Sequence, residues 1–342
     1  MNEGNGILGG GLNEGHSLFN QISSLENLVS AWQEFKRCKQ SRHDVQAFTF
    51  ALEDELFSLH EQLQNRRYTH GQYTPFYVTD PKLRHIHKAT VRDRVLHRAI
   101  FRVLYPLFDR LFIFDSYACR VGKGTHRGVT RLEEFARKFS RNNRKNIFAL
   151  KCDVQKFFDS IDHEILFRLM EQRVADPDVM WLVRRILESF EKESRRGLPL
   201  GNVTSQLFAN IYLNELDQFA KHTLKLHCYI RYCDDFIILI ESRDEAVIFV
   251  SLFREFLEHK LKLTLHPEKI IVRSYRQGID FLGYVVRPYC RTLRTKTKKR
   301  ILRSVTAGVP KQSLQSYLGV LKHCNSYGIV EEINNITNHA FR

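Results

Sequence analysis

The chain has 342 residues, 43% of them hydrophobic and 27% charged, with 25 Phe and 13 Tyr. That balance can bury enough apolar surface to offset ordering entropy, so it excludes disorder throughout and predicts two or three domain-sized units or one multi-lobed enzyme. The formal net charge is +15, yet the first 30 residues hold three Glu and no Lys or Arg. The excess therefore sits in the rest of the chain; it raises the expectation of a polyanionic partner, although charge alone fits a solvated basic surface equally well.

No apolar run is long enough to span a bilayer, and the start MNEGNGILGGGLNEG has neither a basic opening nor an apolar run with a cleavage site. The expectation is a cytoplasmic protein without a membrane partner, prokaryotic or phage-encoded. Seven cysteines, none in a C-x-x-C pair, encode neither a disulfide framework nor a zinc ribbon.

Residues 1–16, with six glycines, read as a flexible leader. Leu18, Ile22, Leu25, Leu28, Val29 and Trp32 recur at helical spacing, and a second helix is predicted over Val45–Gln64. Tyr73–Ile86 alternates like extended strands, and Thr90–Phe108 reads as a helix. A strand from Asn146 ends in Asp153, with helices predicted over 162–172, 177–192 and 203–221. Cys228–Ile240 reads as a hairpin with Asp234 and Asp235 at its turn. A helix over 243–261, a short strand Leu263–His266, and strands near 278–287 and 292–294 follow. The stretch Arg291–Arg303 holds seven basic residues and no acid, and leads into helices with Tyr317, Leu318, Val320, Leu321 and Tyr327 as candidate core.

Asp153 closes an apolar strand, and Asp234 and Asp235 sit in the turn of an apolar hairpin. Ionised acids there need a counter-charge. Two Mg²⁺ ions bridged by carboxylates suit that need, because magnesium takes hard oxygen ligands and keeps positions open for water and phosphate; Mn²⁺ is the alternative ion. A bare Asp-Asp pair would read equally as a capped turn. The order and spacing of the surrounding motifs add to it.

With Lys151-Cys152-Asp153-Val154 followed by Phe158, and Tyr232-Cys233-Asp234-Asp235 further on, the sequence resembles the reverse transcriptases from about residue 17 to its end. The resemblance implies that Asp153, the Val154 carbonyl, Asp234 and Asp235 hold metal, and that Phe158 is the aromatic gate excluding a 2′-hydroxyl. Gly197-Leu198-Pro199-Leu200-Gly201, with Ser205-Gln206 after it, resembles the motif between the acids, implying nucleotide contacts for Leu200, Gly201 and Gln206. Lys82, Arg84 and Arg120 match basic residues on the incoming triphosphate, and Lys269 in His266-Pro267-Glu268-Lys269 matches a lysine able to act as general acid on the leaving pyrophosphate. Phe281, Gly283 and Tyr284 resemble the primer-grip hairpin; Lys296, Lys298, Lys299, Arg300 and Arg303 are candidate nucleic-acid contacts.

Leu200 stands before the middle-motif glycine and Ser205-Gln206 follows, where most group II intron, retron and retroviral enzymes carry Gln-Gly and Ser-Pro. In this the chain is similar to the reverse transcriptases of diversity-generating retroelements, which copy a template-repeat RNA with errors opposite adenine. The likeness implies a structured template-repeat RNA, a DNA or RNA primer and a small, basic, oligomeric accessory protein as partners. Phage-defence enzymes share the pattern, and neither a maturase extension nor a nuclease domain is expected beyond the thumb.

A non-catalytic RNA-binding protein would explain the charge without needing three aspartates at strand ends. An RNA polymerase is disfavoured by Phe158, and a hydrolase by the lack of G-x-S-x-G or H-E-x-x-H. His85, His87, His97 and His126 share no ligand-like spacing. The fold expected is an α+β right hand: fingers at 17–148, an antiparallel palm at 149–288 with parts of 160–200 folding with the fingers, and a small basic helical thumb at 289–342.

Overall fold

A computed structural model describes residues 17–79 and 83–340. The leader and Lys82 lie outside the described residues. The chain divides into two compact units: the first takes the chain up to Leu111 together with Phe158–Tyr212, the second takes Phe112–Phe157 and everything from Leu213.

The first unit opens with α1 (Leu18–Ser23) and α2 (Leu25–Lys36). The sequence suggests one continuous helix; Ser24 breaks it, ending α1 while its hydroxyl accepts from the Asn27 amide at the start of α2. The second predicted helix likewise splits at Ala51 into α3 (His43–Phe50) and α4 (Leu52–Gln64). An antiparallel ribbon, β1 (Thr74–Val78) with β2 (Arg84–Lys88), precedes α5 (Val91–Asp109), which is capped by Thr90.

In the second unit, α6 (Thr125–Phe139) buries Val129, Leu132, Phe135 and Ala136, and β3 (Phe148–Asp153) follows. The short α7 (Phe157–Ser160) leads back into the first unit for α8 (His163–Glu171) and α9 (Pro177–Glu188). Then α10 (Val203–Gln218) runs on into a π-helical turn, Phe219–Thr223. The hairpin β4 (Tyr229–Tyr232) and β5 (Asp235–Ile240) is followed by α11 (Arg243–Leu261).

The predicted strand at Leu263–His266 does not form; Leu265 makes only an isolated bridge to Val154. Pro267 starts a 3₁₀ turn, and the chain pairs again as β6 (Ile271–Ser274), giving an antiparallel sheet in the order β4-β5-β3-β6. A second sheet joins β7 (Ile279–Phe281), β8 (Tyr284–Arg287) and β9 (Cys290–Leu293). Helices α12 (Thr295–Thr306), α13 (Lys311–Leu321) and α14 (Tyr327–Ala340) follow, and Ile301, Val305, Leu321, Ile329 and Ile333 join the core of the second unit. Tyr327, expected in the core, is 81% exposed because it opens α14 on the outward side.

All seven cysteines are free. Among the described residues, no helix is long and apolar enough to cross a membrane.

Candidate active site

Strand register builds the acidic centre in the second unit. Asp153 closes β3 directly opposite Asp235, the first residue of β5, and Tyr232 pairs with Asp235 across the hairpin. Cys233 and Asp234 are left as the two-residue turn. Such a turn needs a left-handed residue, and Cys233 supplies it at φ 57° despite having a side chain. The turn is tied at both carbonyls: the Asp234 carbonyl accepts from Val154 N–H at 3.2 Å, and the Cys233 carbonyl accepts from Arg231 Nη1 at 3.0 Å. The Asp153 carbonyl accepts from His266 N–H at 2.8 Å, fixing the end of β3 against the approach to Lys269.

Burial raises the Asp234 carboxyl above its ordinary range, with Asp153 adding repulsion. Burial also raises Asp235, to about 6, against the opposing pull of Lys151. The counter-charges are two ammonium groups. Lys269 Nζ lies 2.7 Å from Asp153 Oδ1, and Lys151 Nζ lies 2.7 Å from Asp235 Oδ2. The sequence reading named Lys269 and left out Lys151. The signal was available, since Lys151 precedes Asp153 by two on one strand and so shares its face.

Among the described residues, no group of three or more His, Cys, Asp or Glu side chains stands in a metal-holding arrangement. Asp235 Oδ1 is nevertheless buried without any hydrogen-bond partner. Two ammonium charges against three carboxylates leave an anionic, oxygen-only donor set with one unpaired lone-pair donor, which fits a hard divalent cation.

Behind the turn lies an ion pair that sequence reasoning missed. Arg231 donates from Nε and Nη2 to the two carboxylate oxygens of Asp217 at 2.7 and 2.6 Å, and Tyr229 Oη donates to Asp217 at 2.7 Å. Both charged side chains are 0% exposed. Partners on α10 and β4 carry no local sequence signal.

The remaining predicted residues of this unit are placed as follows. Arg120 donates from Nη1 to the carbonyls of Ile113 and Ser116 at 2.6 and 3.1 Å, stapling its own loop. That loop lines the edge of β4, where Tyr117 N–H donates to the Arg231 carbonyl at 2.9 Å. Phe281 and Tyr284, read as primer-grip side chains, are instead 0% and 2% exposed. Their rings belong to the core, and Tyr284 Oη is committed to the Val320 carbonyl at 3.0 Å. What their hairpin can present is the turn Leu282-Gly283, left-handed at φ 50° and 88°. On α12, Ile301 and Val305 face inward while Lys296, Lys299, Arg300 and Arg303 are exposed; Lys298 lies 3.7 Å from Glu332.

The first unit holds the other group. His87 N–H on β2 donates to the Leu200 carbonyl at 3.2 Å, and Gly201 (φ 113°) packs so that a Cβ there would sit 3.0 Å from Ile86 Cγ2. Leu200 is half-buried, Gln206 is exposed one turn into α10, and Arg84 is exposed at the start of β2. The chain at Phe158 is tied alongside, its carbonyl accepting from Leu198 N–H at 2.7 Å.

Comparison with known proteins agrees with this arrangement. Residues 79–286 match the family described as Reverse transcriptase (RNA-dependent DNA polymerase). The chain belongs to that family and is by class an RNA-directed DNA polymerase with a right-hand fold. It is 24% identical over 310 residues to Protein YkfC of Escherichia coli K12, covering 79% of this chain and 77% of that protein. It is 25% identical over 303 residues to the group II intron-encoded protein LtrA of Lactococcus lactis, covering 68% of this chain but only 49% of LtrA. A 125-residue stretch, 32% of this chain, is 31% identical to the retron Ec73 reverse transcriptase of Escherichia coli, of which it covers 38%. A solved telomerase from Candida albicans, in complex with a telomeric RNA fragment, aligns at TM-score 0.49 and 13% identity over 80% of this chain and 54% of the telomerase.

Proposed function

We propose that this protein extends a DNA or RNA primer on an RNA template by divalent-cation-dependent nucleotidyl transfer, and that it serves a diversity-generating retroelement. One observation carries the polymerase chemistry: Asp153 and Asp235 face each other across the strand register, Asp234 occupies the adjoining turn, and Asp235 Oδ1 is buried without a partner. Asp153, the Val154 carbonyl, Asp234 and Asp235 are the groups that would hold Mg²⁺, or Mn²⁺ in its place. When bound, the ions lower the cost of ionising the primer 3′-hydroxyl and of building charge on the leaving phosphate.

This chain's own residues supply the rest. The 3′-oxygen forms the new bond to the α-phosphorus as the bond to the bridging oxygen of the pyrophosphate breaks, and the hydroxyl proton passes to solvent. Lys269, held on Asp153, gives a proton to the departing pyrophosphate. Phe158 closes the sugar site against a 2′-hydroxyl, and Arg84, Lys82 and Arg120 are the cations offered to the triphosphate. The exposed basic face of α12 suits the phosphates of the primer-template duplex.

The subgroup reading rests on Leu200 before Gly201 and on Ser205-Gln206 after it. An aliphatic Leu200 offers no hydrogen bond to enforce base choice, which supports mutagenic copying of a template-repeat RNA. Partners on this reading are that structured RNA and a small basic oligomeric accessory protein.

The test is primer extension by the full chain on RNA with Mg²⁺ and deoxynucleotides, with products sequenced and Asp234→Asn run in parallel. Extension that Asp234→Asn lacks while still binding primer-template supports the chemistry, and synthesis retained by that variant refutes it. Errors concentrated opposite adenine support the retroelement role; an even error spectrum favours a phage-defence enzyme.

A further inference from the structure

The sheet β4-β5-β3-β6 has a second end. Asp153 and Asp235 lie at one end of β3 and β5; at the other, Phe148 pairs with Ile240 and Ser274. Five residue steps separate the two ends, about 17 Å at strand spacing. The segment entering β3, Arg137 to Lys145, contains five basic residues and no acid.

It is a shaped loop rather than a loose charge run. Arg141, Asn142 and Asn143 are all left-handed, at φ 52°, 57° and 66°. The amides of Asn142 and Lys145 donate to the carbonyls of Arg137 and Ser140, both at 2.8 Å, and Asn143 N–H donates to Ser140 Oγ at 2.9 Å. Arg137, Lys138, Arg141 and Arg144 are exposed, and among the described residues no carboxylate lies within ion-pair distance of them. The acids nearby are already engaged: Glu133 pairs with Arg291, Glu134 with Arg131, and Glu241 with Lys145.

Beside this loop stands the β8–β9 turn, with Tyr289 left-handed at φ 66° and its side chain 85% exposed. A bulky aromatic residue in that conformation is strained, and here packing returns little for the strain. Between turn and loop is a cavity of about 470 Å³ lined by Arg137, Asn143, Tyr275, Arg287 and Tyr289. A neighbouring one of about 440 Å³ shares Arg137 and adds Lys138 and Arg141.

We propose that this face is a second RNA-binding surface, which takes an unpaired or looped RNA segment with phosphates on Arg137, Arg141 and Arg287 and a base stacked on Tyr289. Unpaired guanidinium groups select a polyanion, and the exposed ring selects one with flat, unstacked bases. A duplex backbone or an acidic peptide would have no use for the ring. Because the face lies at the opposite end of the sheet from the carboxylates, the RNA held here is not the base pair being extended. The inference goes beyond the polymerase reading and does not require the carboxylates to be catalytic.

The experiment compares full-length wild type with Arg137→Gln/Arg141→Gln/Arg144→Gln and with Tyr289→Asn, which removes the ring while tolerating the left-handed backbone. Binding of a uridine-rich single-stranded oligoribonucleotide is followed by fluorescence anisotropy across a salt series, alongside extension of a short primed duplex. The triple variant should flatten the salt dependence, lowering the slope of log K against log salt by about 2. Tyr289→Asn should weaken single-strand binding about tenfold and leave duplex binding unchanged. A 4-thiouridine probe should cross-link to the peptide containing Tyr289, and short-duplex extension should match wild type in both variants. Wild-type RNA affinity in both variants, or cross-links confined to α12, would overturn the proposal. So would displacement of RNA by polyglutamate at equal charge, which would make the face a site for an acidic protein. Loss of short-duplex extension in step with RNA binding would also overturn it, by moving the residues into the catalytic groove. If wild type fails to extend at all, the polymerase reading falls while the binding comparisons still decide this one.

Discussion

The pair Arg231 and Asp217 offers a perturbation whose two consequences can be separated. Asp217→Leu leaves the guanidinium buried at 0% exposure without its two carboxylate bonds, and also removes the acceptor of Tyr229 Oη. Breaking a fully buried pair from one side costs about 3–5 kcal/mol, because the surviving charge stays desolvated. For a unit of this size that is about 6–20 °C in melting temperature. The companion variant Asp217→Leu/Arg231→Met buries no charge, and should recover most of the loss. Catalysis should not recover with it. Arg231 also donates to the Cys233 carbonyl, and that bond holds the left-handed turn carrying Asp234. With the tie gone, a displacement of the carboxylate on the order of 1 Å lowers turnover about 100-fold. Thermal melting and extension rate at saturating primer-template measure the two effects. A double variant that regains both stability and wild-type turnover would show that the pair serves only the core, and would refute the reasoning.

Leu200→Gln restores an amide before Gly201, and sequenced products should show fewer errors opposite adenine; an unchanged spectrum separates Leu200 from base choice. Gly201→Ala places a Cβ 3.0 Å from Ile86 Cγ2 in a backbone at φ 113°, so urea unfolding should show a loss of about 1–3 kcal/mol. His97 provides a pH test. It is fully buried on α5, bonded to Thr204 Oγ1 at 2.5 Å and to His70 Nε2 at 3.1 Å, with Asp93 and Arg94 nearby. Burial, with His70 adding, lowers its pKa from the model-peptide value of 6.5 to about 3. The unfolded chain therefore binds the proton that the folded chain refuses between those values, and stability falls as pH drops below 6.5. From pH 8 to pH 5 this group alone should cost about 2 kcal/mol, and His97→Gln should remove that part of the slope in urea titrations at the two pH values.

The residues that could be read from the sequence are those whose partners lie along their own strand. Asp153, Asp234 and Asp235 each end or begin an apolar run, so alternation alone puts them at one edge of a sheet, and pairing then makes them neighbours. Helix α6 was equally legible from Val129, Leu132, Phe135 and Ala136 at three-and-four spacing, but the basic loop before it drew the reading elsewhere. Aromatic side chains were less decipherable. Phe281 and Tyr284 fit a nucleic-acid grip and a core equally well as residue types, and only the packing of β7 and β8 against the helices after them decides for the core. The strand β6 was misplaced because Leu263–His266 and Ile271–Ser274 are both short β-prone runs, and the proline between them, not their composition, decides which one pairs with β3.

What sequence could not supply is the electrostatic support of the site, and the reason is distance along the chain. Lys269 is 116 residues from Asp153, and Asp217 is 14 residues and one element away from Arg231. Spacing rules cover neighbours on one helix or strand; they say nothing of a guanidinium that reaches back from a strand to a helix and forward to its own turn. The same limit explains the opposite end of the sheet. Five basic residues between Arg137 and Lys145 look like a solvated run in the sequence, and would remain one if Glu133, Glu134 and Glu241 were turned toward them. In the fold those three acids are taken by Arg291, Arg131 and Lys145, so Arg137, Lys138, Arg141 and Arg144 keep their charge for a partner. One sheet therefore carries carboxylates in need of cations at one end and guanidinium groups in need of anions at the other. Each need is set by which long-range ion pairs the fold makes, rather than by how many charges the sequence holds.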